Sequence, residues 1–106
     1  MTPDVPEKLN GISEKDLAVI LSVFRKYSEV ERAVLFGSRA TGKHKPASDA
    51  DFALEGQNIT FRTLCRLAAD FDESPLPYRV DLVLLNSSVA PELLEQIHRY
   101  GINLSF

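Results

Sequence analysis

Only one cysteine, Cys65, occurs in the 106 residues. An internal disulfide is therefore impossible, and no cysteine metal cluster can form. Cys65 falls in an apolar helical pattern, which predicts a buried structural thiol. No run of ~18 apolar residues exists, so no membrane span is expected. The start, Met1-Thr2-Pro3-Asp4, carries an acid and no apolar stretch, which argues against a secretory signal and for a cytoplasmic protein. A basic surplus is also absent. The net charge is −3, so direct nucleic-acid binding is not expected. No repeat or low-complexity tract appears. What remains is ordinary for one globular domain: 44% hydrophobic and 25% charged residues. A chain of this length buries roughly 60–65% of its unfolded surface, enough for a single core.

Residues 1–11 hold two prolines, mixed charge and little hydrophobicity, and read as a loose N-terminal arm. The folded domain is expected over 12–106. Ser13 and Asp16 resemble a capping box with a shorter acid. Leu17, Ile20, Leu21 and Phe24 follow at helical spacing, to about Tyr27. Ala33 to Phe36 reads as a short apolar strand. Ser38 to Thr41 makes a short helix that Gly42 ends. A second strand is expected from Asp49 to Leu54. Asn58 or Thr60 caps a helix whose apolar side is Phe61, Leu64, Cys65, Leu67, Ala68 and Phe71. Arg62 and Arg66 on it read as a solvated face. Arg79 to Leu85 reads as a strand interrupted by one acid, Asp81, which is out of place as core. Pro91 to Tyr100 forms a last helix with Leu93, Leu94, Ile97 and Tyr100 buried, and Gly101 as its C-cap. Ile102 to Leu104 adds a short edge strand. The pattern predicts an α+β domain: a three- to four-stranded mixed sheet with helices mainly on one face, leaving the other free to expose acids.

The stretch that carries chemistry is Leu35-Phe36-Gly37-Ser38-Arg39, followed by a loop and then Asp49-Ala50-Asp51. Gly37 ends the strand where the chain must turn sharply, or where a ligand must approach closely. Ser38 opens a helical turn whose free N–H groups and hydroxyl can hold a phosphate. Arg39 either adds charge on the same turn or faces solvent. Arg39, Lys43, His44 and Lys45 make the loop basic, with no acid between Phe36 and Asp49. Side chains alternate along a strand, so Asp49 and Asp51 share a face. Two carboxylates so close repel unless a cation lies between them, and such oxygen ligands suit Mg²⁺.

Gly37-Ser38, ten residues, then Asp49-x-Asp51 resembles the signature of the DNA polymerase β-type nucleotidyltransferases. The likeness is greatest to the minimal nucleotidyltransferases, small bacterial and archaeal proteins of about this length. It spans roughly Leu17 to Leu104. The resemblance implies a polymerase β palm-like fold, with Asp49, Asp51 and Asp81 as catalytic ligands of two Mg²⁺ ions. It implies that Gly37 and Ser38, with Arg39 beside them, cradle the phosphates of ATP. Asp81 lies nearest the expected nucleophile. The family's usual companion is a helical HEPN-domain toxin, and studied members act as antitoxins by transferring AMP to it. Larger relatives carry domains that grip base and acceptor. Nothing is left here for such a domain, so an open site and a second chain are expected, and a homo-oligomer is compatible with this.

Within what the resemblance implies, two classes remain open. One is a Mg²⁺-dependent transferase of AMP from ATP. The other is a non-catalytic, nucleotide-binding antitoxin module that neutralises its partner by docking. The bland alternatives are an Asx-type turn at Asp49 and an edge-strand charge or an Arg79 ion pair at Asp81. Sugar-nucleotide glycosyltransferases need a longer chain, and dehalogenase-type phosphatases place the acid pair after a strand rather than at its start.

Overall fold

The computed structural model describes residues 12–45, 47–86, 88–104 and 106. The arm expected over 1–11 lies outside the described residues. The elements run α1 (Glu14–Arg25), β1 (Arg32–Phe36), α2 (Ser38–Thr41), β2 (Ala50–Glu55), α3 (Phe61–Asp72), β3 (Val80–Leu84), α4 (Pro91–Tyr100) and β4 (Ile102–Leu104). Their order along one sheet is β3-β2-β1-β4. β1 is antiparallel to β2 and β4, whereas β2 and β3 run parallel. The sheet is thus mixed, as expected.

The strands sort their side chains by alternation. Ala33, Leu35, Phe52 and Leu54 point to one face, where α1 and α3 cover them. Phe24 on α1 is the hub of this core. It meets Phe52 and Phe71 edge to face at 5.4 and 5.3 Å and stacks on Phe106 at 5.5 Å. Val34, Phe36 and Ala53 point to the other face and pack with Ile97 of α4. Most helical cover therefore lies on one side, as the pattern implied. α4 shields only part of the second face, and Asp51 and Asp81 belong to that same face by alternation.

Helix boundaries follow local chemistry. Ser13 caps α1 by accepting from the Asp16 N–H at 3.1 Å. α1 ends at Arg25 rather than Tyr27, because the Lys26 N–H turns back to the Val23 and Phe24 carbonyls. Thr60, not Asn58, caps α3 through a reciprocal pair with Thr63. The buried Thr63 hydroxyl donates in turn to Glu29 Oε2 at 3.0 Å, which ties the cap to the turn before β1. Thr60→Ala should cost about 1 kcal/mol, a usual value for a lost N-cap. Chemical denaturation would show this as a lower midpoint at unchanged m-value, and an unchanged midpoint would remove the cap from the account.

The expected apolar side of α3 is corrected. Thr63, Leu67 and Phe71 are its buried line, while Phe61 is 80% exposed. Ala68 is exposed as well. Cys65 is exposed rather than a buried thiol. The apolar residues of α3 span a wider arc than the strip that touches α1 and β3, so those at its edge reach solvent. Tyr100 is likewise 51% exposed instead of buried, because α4 seats only Ile97 fully. Gly101 is the C-cap, in an extended conformation, with its N–H bonded to the Ile97 carbonyl at 2.9 Å.

Candidate active site

The site forms where β1, β2 and β3 meet at one end of the sheet. β1 ends at Phe36, opposite Asp51 of β2, and Asp51 pairs in register with Asp81 of β3. Registered residues on parallel strands point the same way, so the Asp51 and Asp81 carboxyls stand side by side. Asp49 stands just before β2, two residues from Asp51. Ion pairs among the described residues join Lys26 with Asp70, Arg32 with Glu55 and Arg99 with Glu95, and none includes these three acids. An Asp81–Arg79 ion pair is therefore not what holds Asp81.

The crowding registers on Asp51. Burial, then the charges of Asp81 and Asp49, then a hydrogen bond with Asp81 push its carboxyl up from 3.8 to about 6. The folded state favours protonated Asp51, so its contribution is full below pH 3.8 and is lost as pH rises through about 6. A carbon-detected NMR titration in metal-free buffer should give Asp51 a midpoint near 6. A midpoint at the ordinary carboxylate value would mean that the three acids do not converge.

Gly37 closes the other wall. Its φ of 77° and ψ of −154° lie where side chains other than glycine's are strained. A Cβ there would stand 2.5 Å from Asp51 Oδ2. The missing side chain is what lets the turn lie directly against the carboxylate. The Gly37 carbonyl accepts from the Ala40 and Thr41 N–H groups at 3.1 and 3.2 Å, which starts α2. Ser38 opens that helix, with its first N–H groups lacking helical partners. Gly42, at φ 81°, ends α2 in the left-handed conformation. Beside the turn lies a cleft of about 650 Å³ lined by Gly37, Ser38, Thr41, Lys43, Gln96 and Tyr100.

Arg39 departs from the expectation. It neither reaches towards the cleft nor faces solvent: it is 1% exposed. Its Nε donates to the Ser48 carbonyl at 3.0 Å, and its guanidinium lies 4.0 Å over the Tyr78 ring. Tyr78 in turn donates to Asp16 Oδ2 at 3.2 Å. Burial, then Asp16, raises the Tyr78 pKa, so the phenol stays a donor. Residue pattern gave no warning of this inward turn, since both partners are remote in sequence. Tyr100 and Gln96 were also missed as cleft residues. Tyr100 sits at core spacing from Ile97, and only the packing of α4 shows that it overhangs the Gly37 turn.

A divalent cation is implied by the resemblance, and the donor set can be tested against it. All candidate ligands are carboxylate oxygens, the hard donors that Mg²⁺ takes. Asp51 is raised by burial first and by its acidic neighbours second, and a cation between the acids would relieve the repulsion. Among the described residues no three His, Cys, Asp or Glu side chains stand ready-made around one point. The donor chemistry fits a divalent cation.

A glycine turn laid against paired carboxylates, at the end of a mixed sheet backed by two helices, defines a nucleotidyltransferase fold. The chain belongs to the polymerase beta nucleotidyltransferase family, whose model matches residues 11–105. It is 36% identical over 73 residues to a probable protein adenylyltransferase MntA of Haemophilus influenzae (strain ATCC 51907 / DSM 11121 / KW20 / Rd). That match spans 68% of this chain and 64% of the relative. Among solved structures, a toxin–antitoxin with AMP-PNP superposes with a TM-score of 0.68 at 28% identity, covering 83% of this chain and 71% of that one. A mutant of the toxin–antitoxin MntA-HpeT, with two aspartates two positions apart changed to glutamate, superposes at 0.66 and 26% identity, covering 81% and 69%. No helix among the described residues is long and apolar enough to cross a membrane.

Proposed function

We propose that this chain transfers AMP from ATP to a protein, and that the acceptor is a helical HEPN-type toxin which it thereby restrains. The observation that carries this reading is the in-register pair Asp51–Asp81 against the Gly37 turn. The matching relative supports adenylyl transfer, and the AMP-PNP and MntA-HpeT complexes support a nucleotide and a toxin partner. Ser38 and the first N–H groups of α2 donate to the β- and γ-phosphate oxygens. Lys43, at the rim of the same cleft, adds positive charge there. Asp49, Asp51 and Asp81 would hold Mg²⁺. The ion, when bound, neutralises the leaving pyrophosphate and acidifies the attacking hydroxyl. Asp81, the most exposed of the three, orients the acceptor hydroxyl and takes its proton. Positioning and fixed charge thus do most of the work.

Labelled ATP, Mg²⁺ and a helical HEPN-type toxin should yield a labelled toxin. No label, or label unaffected by Asp49→Ala, would overturn the reading. The rival reading is docking without transfer. Under that rival, a chain carrying both Asp49→Asn and Asp51→Asn would still neutralise the toxin.

A further inference from the structure

Arg39 follows the phosphate-turn serine, yet its side chain is turned inward. Its guanidinium touches the two segments that deliver the acids. Ser48, whose carbonyl it holds, immediately precedes Asp49. Tyr78, on which it stacks, precedes Asp81 by three residues and is anchored to α1 through Asp16. A backbone bond from the Ala50 N–H to the Arg79 carbonyl, at 2.9 Å, joins those same two segments. One buried cation therefore links the α2 turn, the entry to β2 and the entry to β3. A buried charge contributes little to stability that an apolar chain of equal volume would not. What it supplies is direction, because a planar fork bonds in its plane and stacks across it.

We infer that Arg39 is a positioning residue: it sets the spacing between the Gly37–Ser38 turn and the three carboxylates, and does not itself touch the nucleotide. The inference rests on the transferase reading for its kinetic consequence, though not for its effect on cation binding. The test uses Arg39→Met, Arg39→Lys and Tyr78→Leu in the full chain. Two quantities are read: Mn²⁺ affinity without nucleotide, by electron paramagnetic resonance, and kcat and KM for ATP. Arg39→Met should weaken Mn²⁺ binding about tenfold and lower kcat by a similar factor, as losing support behind metal ligands commonly does. The KM for ATP should stay within about threefold, since the ATP contacts are intact. Arg39→Lys, which can still reach the Ser48 carbonyl, should recover part of the Mn²⁺ loss. Tyr78→Leu, which keeps that bond but removes the stacking surface, should show a smaller loss of the same kind. If Arg39→Met does not fold, the other two variants decide. Unchanged Mn²⁺ affinity across the set overturns the inference, and so does a raised KM alone, which would make Arg39 a phosphate ligand. If the unaltered chain transfers nothing, the transferase reading falls while the Mn²⁺ titrations still judge Arg39.

Discussion

Asp51→Asn is expected to lower AMP transfer by about 10³-fold while making the metal-free protein more stable above pH 6. The two effects have one cause. Asp51 is the most confined of the three carboxylates, beside Asp81 in register and against Gly37. Its charge is costly to the folded protein on its own, since burial and then the neighbouring acids push its carboxyl up to about 6. Under the proposed transfer, the same charge serves to hold a cation beside the triphosphate. Asparagine keeps the shape and can still donate to Asp81, but it removes the charge. A loss of about 4 kcal/mol in the transition state corresponds to roughly 10³ in rate. The gain in stability should be at most about 1 kcal/mol, because the carboxyl is partly open to solvent and screened there. Differential scanning in EDTA at neutral pH, alongside turnover with Mg²⁺ and ATP, measures both. A variant that keeps a tenth of the activity would remove Asp51 from the catalytic set. One that loses both activity and stability would make Asp51 a structural acid.

Element order was readable along the chain because each element announces itself locally. Apolar runs of four to six residues, a serine or threonine cap and a glycine exit need only neighbours to interpret. All eight elements formed within two residues of the expected bounds. The acids were legible for a similar reason. Alternation fixes the face of Asp51, and an acid inside the apolar run Val80–Leu84 has few structural reasons to be there. What stayed hidden depends on the third dimension. Cys65, Phe61 and Tyr100 carry apolar character at helical spacing, yet their exposure is set by how wide a strip of α3 or α4 the sheet can cover. Arg39 read as a cation of the phosphate turn or of the solvent face because its partners, Ser48 and Tyr78, are nine and thirty-nine residues away. Nothing in a local window records that an aromatic ring will lie beneath a guanidinium.

Gly37→Ala should damage both transfer and stability. At φ 77° and ψ −154° an L-residue is strained by about 1–3 kcal/mol. Its Cβ would also stand 2.5 Å from Asp51 Oδ2 and 3.5 Å from Asp51 Cγ. Either the carboxylate rotates out of its place, or the turn retreats and takes the start of α2 and Ser38 with it. Transfer should fall about 10²-fold or more, since a misplacement near 1 Å is enough for that, and stability should fall by about 2 kcal/mol. Gly42→Ala is the control. It adds left-handed strain of about 1–2 kcal/mol at the far end of α2 and should leave kcat nearly intact. The clash and the strain can then be separated. Removing the Asp51 side chain beyond Cβ leaves nothing for the new methyl to strike. Added to Asp51→Ala, Gly37→Ala should therefore cost only the backbone strain, and the two stability changes should couple by about 1 kcal/mol. Additive costs in denaturation midpoints would mean that the turn and the carboxylate do not touch, and that glycine is there for its dihedral angles alone.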